Sequence, residues 1–217
     1  YFDRLVAKGM IYPCHCTRAD VLATQAPHES DGRVAYKGTC RPAAAPPFLF
    51  NSAEKGARRL YVPDEEITFS DLVYGPQSVN LARHCGDFVV RRADGAWAYQ
   101  LAVVIDDALM GVTEVIRGND LLLSAAQQIH LFRLFGFQSP RFGHLPLLCN
   151  AAGQRLSKRD SSLSMEHLRQ RFTPADVIGR IAWLAHLVPN PSPLLPVELL
   201  KRFSLSSIPK ANIITEL

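Results

Sequence analysis

The five residues Arg155-Leu156-Ser157-Lys158-Arg159 place cations on both sides of a small hydroxyl. They follow the apolar run His144-Leu145-Pro146-Leu147-Leu148, which reads as a buried strand, and the turn residues Asn150 to Gly153. A lysine on such a loop can neutralise charge on a departing pyrophosphate. Taken alone, the pentapeptide is equally a solvated basic loop. A second set begins at Cys14-His15-Cys16 and continues with Cys40 in Tyr36-Lys37-Gly38-Thr39-Cys40. Three thiolates and one nitrogen or oxygen donor complete a tetrahedral zinc shell. His15 and Tyr36 both stand as the fourth donor, and Tyr36 would need the metal to generate its phenolate. The plain alternative is three thiols in a loop. The third set is Tyr99 and Arg117. Arg117 follows the strand-like Val112 to Ile116 and precedes a helix start. In open α/β sheets, ligands bind where strand ends meet helix N-termini. A guanidinium there can fork onto a carboxylate, and a tyrosine hydroxyl can fix its orientation. The competing reading pairs Arg117 with Asp120 or Glu114 and buries Tyr99 in the core.

Other residues carry weaker signals. Asp106-Asp107 reads as a helix-end charge pair rather than an acid–base pair. His144 can shape a nucleotide pocket, and Cys85 and Cys149 read as packing residues. Lys37, Arg41, Arg58 and Arg59 are candidates for nucleic-acid phosphate contacts, against the ordinary reading of a solvated basic surface.

The 217 residues suit one large domain, or one domain with a small insert. A chain 47% hydrophobic and 20% charged has enough apolar surface for a sizeable core. The net charge of +4, with a pI near 8.9, permits a polyanionic partner without demanding one. No stretch is apolar for long enough to span a bilayer and there is no leader pattern, so the expectation is a cytoplasmic protein with no membrane partner. Five cysteines without a secretory leader favour metal ligation or reduced thiols over a disulfide framework. The sequence opens at Tyr1 in what reads as the middle of a domain, so an N-terminally incomplete chain is expected.

The elements that must position these residues follow from periodicity and turn chemistry. Phe2, Leu5 and Val6 make a helical stripe that stops at Gly9. Met10 to Cys14 reads as a strand, and Thr17 or Asp20 caps a helix over Val21 to Ala26. Residues 27 to 58 read as a loop-rich insert. Leu60 to Val62 and Ile67 to Phe69 are strands, and Asp71 to Val79 is a turn-containing connection around Gly75-Pro76. Asp87 to Arg92 is a strand closed by the turn Asp94-Gly95. Tyr99 to Met110 fits strand or helix. Val112 to Ile116 is a strand. A helix capped by Asn119 or Asp120 carries Leu122, Ala125, Ile129 and Phe132 to a stop at Gly136. After the basic loop come a short helix from Ser164, a helix capped by Thr173-Pro174, a proline-rich joint, and a last helix over Val197 to Phe203.

In order, the chain carries Asp87-Phe88-Val89-Val90-Arg91-Arg92, Ala98-Tyr99-Gln100-Leu101-Ala102-Val103-Val104-Ile105-Asp106-Asp107 and Gly111-Val112-Thr113-Glu114-Val115-Ile116-Arg117-Gly118. His144-Leu145-Pro146 and Arg155-Leu156-Ser157-Lys158 follow. This series resembles the second half of the catalytic domain of class I glutamyl-tRNA synthetases, from Tyr1 to roughly residue 180. Within the family it is similar to the short branch that acts on queuosine in tRNA(Asp). Thr113-Glu114-Val115 has glutamate where ordinary members usually have histidine. Arg117-Gly118-Asn119-Asp120-Leu121-Leu122 lacks their usual Asp-His. The chain also ends only about sixty residues after the basic loop, consistent with the expectation of no helical anticodon-binding domain.

The resemblance implies an α/β fold: the C-terminal part of a class I synthetase Rossmann-like catalytic domain, with a zinc-bearing insert and a short helical C-terminal region. The expected boundaries are a tail of the first Rossmann half at 1–13, the zinc insert and connective region at 14–86, the second half with its basic loop at 87–160, and a helical, stem-contact-like region at 161–217. It implies ATP-dependent activation of glutamate, with Mg2+, and transfer to queuosine of tRNA(Asp) by a monomer. Tyr99 and Arg117 match the family's glutamate-binding positions. Lys158 matches the second lysine of its Lys-Met-Ser-Lys-Ser loop and is the catalytic candidate, with Arg155 and Ser157 as further ATP contacts. Cys14, Cys16, Tyr36 and Cys40 match its structural Zn2+ ligands, and Tyr99 to Met110 becomes a helix. The family's His-Ile-Gly-His-like ATP motif lies before Tyr1, so this stretch alone would be inactive. The alternatives are a fragment of an ordinary glutamyl-tRNA synthetase and a non-catalytic tRNA-binding relic.

Overall fold

The computed structural model describes residues 1–23, 35–156 and 165–215. Its helices are α1 (Phe2–Ala7), α2 (Arg18–Ala23), α3 (Leu81–His84), α4 (Tyr99–Met110), α5 (Leu122–Phe135), α6 (Met165–Arg171), α7 (Pro174–Leu184) and α8 (Pro196–Leu199). Its strands are β1 (Ile11–Cys14), β2 (Ala57–Leu60), β3 (Glu66–Asp71), β4 (Gly75–Asn80), β5 (Phe88–Arg91), β6 (Glu114–Gly118), β7 (Arg141–Leu145), β8 (Leu148–Cys149) and β9 (Ile213–Ile214). Two compact units divide the chain. The first holds Tyr1–Phe69, Pro76–Val115 and Leu123–Arg141; the second holds Ser70–Gly75, Ile116–Leu122 and Phe142–Leu217.

In the first unit α1 buries Phe2 and Leu5 and ends at Gly9, which sits at φ 64°. Only a residue without Cβ takes that left-handed conformation cheaply. β1 pairs antiparallel with β2, Ile11 opposite Leu60 and Cys14 opposite Ala57, and β2 pairs antiparallel with β5. The strand expected at Leu60 to Val62 therefore begins earlier, at Ala57. The pair Arg58-Arg59 reads as surface, yet both residues are buried within it. α2 starts at Arg18, and Thr17 and Asp20 exchange hydrogen bonds at its start. The part of the expected helix beyond Ala23 lies outside the described residues.

β4 adds beside β3 where a plain connection was expected. Gly75-Pro76 stands at the start of that strand, where a missing backbone N–H matters least. α4 is helical from Tyr99 and stops at Gly111 (φ 69°), burying Leu101 and Val104. α5 buries Ala125, Ile129, Phe132 and Phe135 before Gly136 (φ 72°).

In the second unit Asp71, the last residue of β3, pairs in parallel with Phe142 of β7, and β6 lies on β7's other side. A Cβ at Gly143 would lie 2.6 Å from Ile116 Cδ1, so glycine there lets these strands close up. The apolar run from His144 breaks at Pro146 into β7 and β8, and β8 pairs in parallel with β9. The expected cap at Asn119 or Asp120 is instead a single 3-10 turn, Asn119–Leu121, ahead of α5. Asn119 gives its side chain to Tyr74 and Asn212, and Asp120 pairs with Arg155. Thr173 caps α7 reciprocally with Asp176, and Pro174 takes the first helical position. The last expected helix is shorter, Pro196–Leu199. No described helix is long and apolar enough to cross a membrane.

Candidate functional site

The three thiols of Cys14, Cys16 and Cys40 converge at the end of β1. Their sulfurs all lie within 4.8 Å of one another, and none is in a disulfide. Cys16 Sγ and Cys40 Sγ are 3.4 Å apart, and Tyr36 Oη lies 3.6 Å from Cys14 Sγ. Zinc–sulfur bonds of about 2.3 Å in a tetrahedron put sulfurs roughly 3.8 Å apart, so the cluster fits such an ion. His15 turns away: its Nε2 meets Glu54 Oε1 at 3.0 Å, and its side chain is more than half exposed.

Two glycines shape this corner. Gly56 (φ 107°) packs where a Cβ would sit 2.6 Å from Cys14's carbonyl oxygen. Gly86 (φ 64°) lies against the Tyr36 backbone, where a Cβ would collide with Tyr36's carbonyl. Tyr36 N donates to Cys85 O at 2.9 Å, which fixes the tyrosine.

Charge at the corner is managed by arginines. Arg59 Nε donates to Cys14 Sγ at 3.2 Å, and its guanidinium lies 3.6 Å over the Tyr36 ring. Burial opposes ionisation of Cys40. Hydrogen bonds from the His15 backbone, Cys16, Tyr36 and Cys14 outweigh it and bring the thiol down to about 7. Burial, with the hydrogen bond to Cys40, pushes Cys16 up to about 11. Burial also raises the Tyr36 phenol well above its ordinary value.

Behind the thiols lies Asp87, with a fully buried side chain. Arg41 forks onto it at 2.6 and 2.7 Å, Val62 N donates at 2.8 Å, and the Tyr12 hydroxyl donates to its Oδ2. Arg59 adds a 2.7 Å bond to Asp87's carbonyl, while Arg58 donates to the carbonyls of Glu54 and Gly56. Arg41, Arg58 and Arg59 are therefore internal braces rather than phosphate contacts; Lys37 alone of that group is exposed. Tyr99 opens α4 and is 53% exposed, which removes the core reading for it.

In the second unit Arg117 stands near the end of β6, but neither expected carboxylate holds it. Glu114 pairs with Arg141 at 2.6 Å and Asp120 with Arg155. Arg117 Nε instead donates to His144 Nε2 at 3.1 Å, Nη2 reaches Leu121 O at 3.3 Å, and the guanidinium lies 5.1 Å over Phe142. His144 Nδ1 meets Asp71 Oδ2 at 2.6 Å. Sequence reasoning placed His144 near a pocket but missed Asp71. The available signal was a carboxylate ending an alternating strand, an Asx-type turn into Leu72-Val73-Tyr74. Arg155 is exposed; Ser157 and Lys158 lie outside the described residues.

The described residues thus form an α/β chain with mixed sheets, three converging thiols at the end of its first strand and an arginine near the end of β6. Residues 1–181 match the family model described as tRNA synthetases class I (E and Q), catalytic domain, and the chain belongs to that family. It is 47% identical over 213 residues to a glutamyl-Q tRNA(Asp) synthetase of Symbiobacterium thermophilum, covering 95% of this chain and 65% of the relative. It is 49% identical over 164 residues to the protein of the same name from Geobacter sulfurreducens, covering 75% of this chain and 51% of the relative. The chain thus spans about half to two-thirds of the length of these relatives. Among solved structures, a glutamate tRNA ligase from Elizabethkingia meningosepticum, in complex with its amino acid, superposes with a TM-score of 0.72 at 25% identity, covering all of this chain and 49% of that one.

Proposed function

We propose that the protein to which this chain belongs activates glutamate with ATP and transfers it to queuosine in the anticodon of tRNA(Asp). The carrying observation is identity of 47% and 49% to proteins named glutamyl-Q tRNA(Asp) synthetase, against 25% to a glutamate tRNA ligase of the same fold. That difference favours the queuosine branch over a fragment of an ordinary glutamyl-tRNA synthetase. Tyr99 and Arg117 act on glutamate, Arg117 by forking onto a carboxylate. Adenylate formation is an in-line displacement at the α-phosphate, where the protein positions reactants and neutralises charge on the leaving pyrophosphate. Lys158 supplies that charge, with Ser157 and Arg155 on the same loop. Arg155 is held by Asp120 and must exchange that partner for phosphate. Mg2+ accompanies ATP.

Cys14, Cys16, Tyr36 and Cys40 hold structural zinc, which supplies a cross-link between the end of β1 and the loop at Cys40. Four protein donors leave no open position for substrate. On this reading residues 14–86 are the zinc insert, 1–13 and 87–160 belong to the Rossmann-like halves, and 161–217 face the nucleic acid. The protein works as a monomer in the cytoplasm.

The test uses the full-length protein with ATP and labelled glutamate. Label is expected on queuosine-containing tRNA(Asp). Label on tRNA(Glu), or on tRNA(Asp) lacking queuosine, contradicts the proposal. Lys158→Ala is expected to abolish glutamate-dependent pyrophosphate exchange; an unchanged rate removes that residue's role.

A further inference from the structure

We propose that Asp71 and His144 are positioning residues that hold the Nε edge of Arg117, so that its fork stays charged and oriented for the substrate carboxylate. This rests on the reading of Arg117 as a glutamate-binding residue.

The hydrogen-bond chemistry fixes the arrangement. A guanidinium has no acceptor, so in the 3.1 Å contact His144 Nε2 must accept from Arg117 Nε. The ring proton is then on Nδ1, and it is donated to Asp71 Oδ2 at 2.6 Å. Burial, aided by the charge of Arg117, lowers the His144 pKa against the pulls of Asp71 and the Leu121 backbone, in the direction of a neutral ring. Asp71 cannot turn away, because Oδ1 accepts from Val73 N at 3.0 Å, Tyr74 N at 2.9 Å and His144 N at 3.3 Å. Asp71 and His144 are both fully buried as side chains. Close packing at Gly143 holds the backbone one residue before His144.

The alternative design is visible elsewhere in the chain. Arg41 meets Asp87 directly and spends both prongs of its Nε edge, Nε and Nη2, on that carboxylate. A carboxylate placed on Arg117 in that way would compete with a substrate carboxylate for the same donors. A neutral imidazole between them transmits orientation through one nitrogen and brings no negative charge of its own to Arg117. The same geometry separates this role from ordinary packing, because a packing histidine needs neither a set tautomer nor a buried carboxylate behind it.

The experiment measures KM for glutamate and for ATP in pyrophosphate exchange by the full-length enzyme, with Arg117→Gln as reference. His144→Leu is expected to raise KM for glutamate by about tenfold or more while KM for ATP stays within about twofold. His144→Gln, whose amide both donates and accepts, is expected to recover most of the loss. Should His144→Leu not fold, Asp71→Asn serves in its place and is expected to raise KM for glutamate selectively as well. A rise in both KM values without recovery by His144→Gln would overturn the proposal. So would an unchanged KM for glutamate in His144→Leu and Asp71→Asn while Arg117→Gln raises it. An unchanged KM in Arg117→Gln would overturn the underlying reading of Arg117, and the proposal with it.

Discussion

Replacing Asp87 by alanine removes one carboxylate and strands three groups at once. The Val62 amide loses a 2.8 Å bond, the Tyr12 hydroxyl loses its acceptor, and Arg41 loses both bonds of its fork. A buried donor left unpaired costs about 1–3 kcal/mol. The Val62 amide and the Tyr12 hydroxyl each carry that cost. Arg41 adds less, because its side chain is 33% exposed and water can recover part of its solvation. The expected loss is about 3–5 kcal/mol, a large part of the roughly 5–15 kcal/mol that holds an ordinary domain folded. Asp87→Asn keeps an acceptor for Val62 N and is expected to lose about half as much. The assay is urea denaturation followed by Trp97 fluorescence in a Trp183→Phe background, since Trp97 lies in the same unit as Asp87. A loss below about 1 kcal/mol for Asp87→Ala would refute the view that Asp87 is the brace behind the thiol corner.

Three further outcomes follow from single contacts. Arg59→Gln removes the donor to Cys14 Sγ and the cation over Tyr36, so zinc affinity measured by chelator competition should fall about 10–100-fold, as for other partners that orient metal ligands. His130 is buried on α5 with no hydrogen-bond partner for Nε2 among the described residues, and burial pushes its pKa down to about 4. The unfolded chain, with an ordinary value near 6.5, binds that proton more tightly, so stability should fall as pH drops from about 6.5 towards 4, by about 3 kcal/mol at pH 4. Subtracting the pH profile of His130→Gln isolates that share. Thr173→Ala breaks the reciprocal cap of α7 and should cost about 1 kcal/mol in thermal or urea unfolding of the second unit.

Much of the architecture was legible because local chemistry and tertiary structure agree. Gly9, Gly111 and Gly136 end helices where the apolar stripes end, and Thr173-Pro174 opens one. The run Tyr99 to Met110 was not decidable from its residues, because Val103-Val104-Ile105 favours strand while its length allows a helix. The β2 strand was misplaced for a different reason: Arg58-Arg59 reads as surface until the carbonyls, the thiol and the ring that absorb its charge are known. Spacing left His15 and Tyr36 open, and the structure separates them: His15 turns towards Glu54, while Tyr36 Oη lies 3.6 Å from Cys14 Sγ. Asp71 and His144 stand 73 residues apart. No local pattern joins them, because their pairing arises from the parallel register of β3 and β7.

The central claim concerns the acceptor, and mapping the label on the tRNA tests it most directly. The full-length enzyme would be given ATP, labelled glutamate and queuosine-containing tRNA(Asp), and the product cut by nuclease into the anticodon fragment and the 3′-terminal fragment. The account predicts label on the anticodon fragment alone. Label on the 3′-terminal adenosine would contradict it.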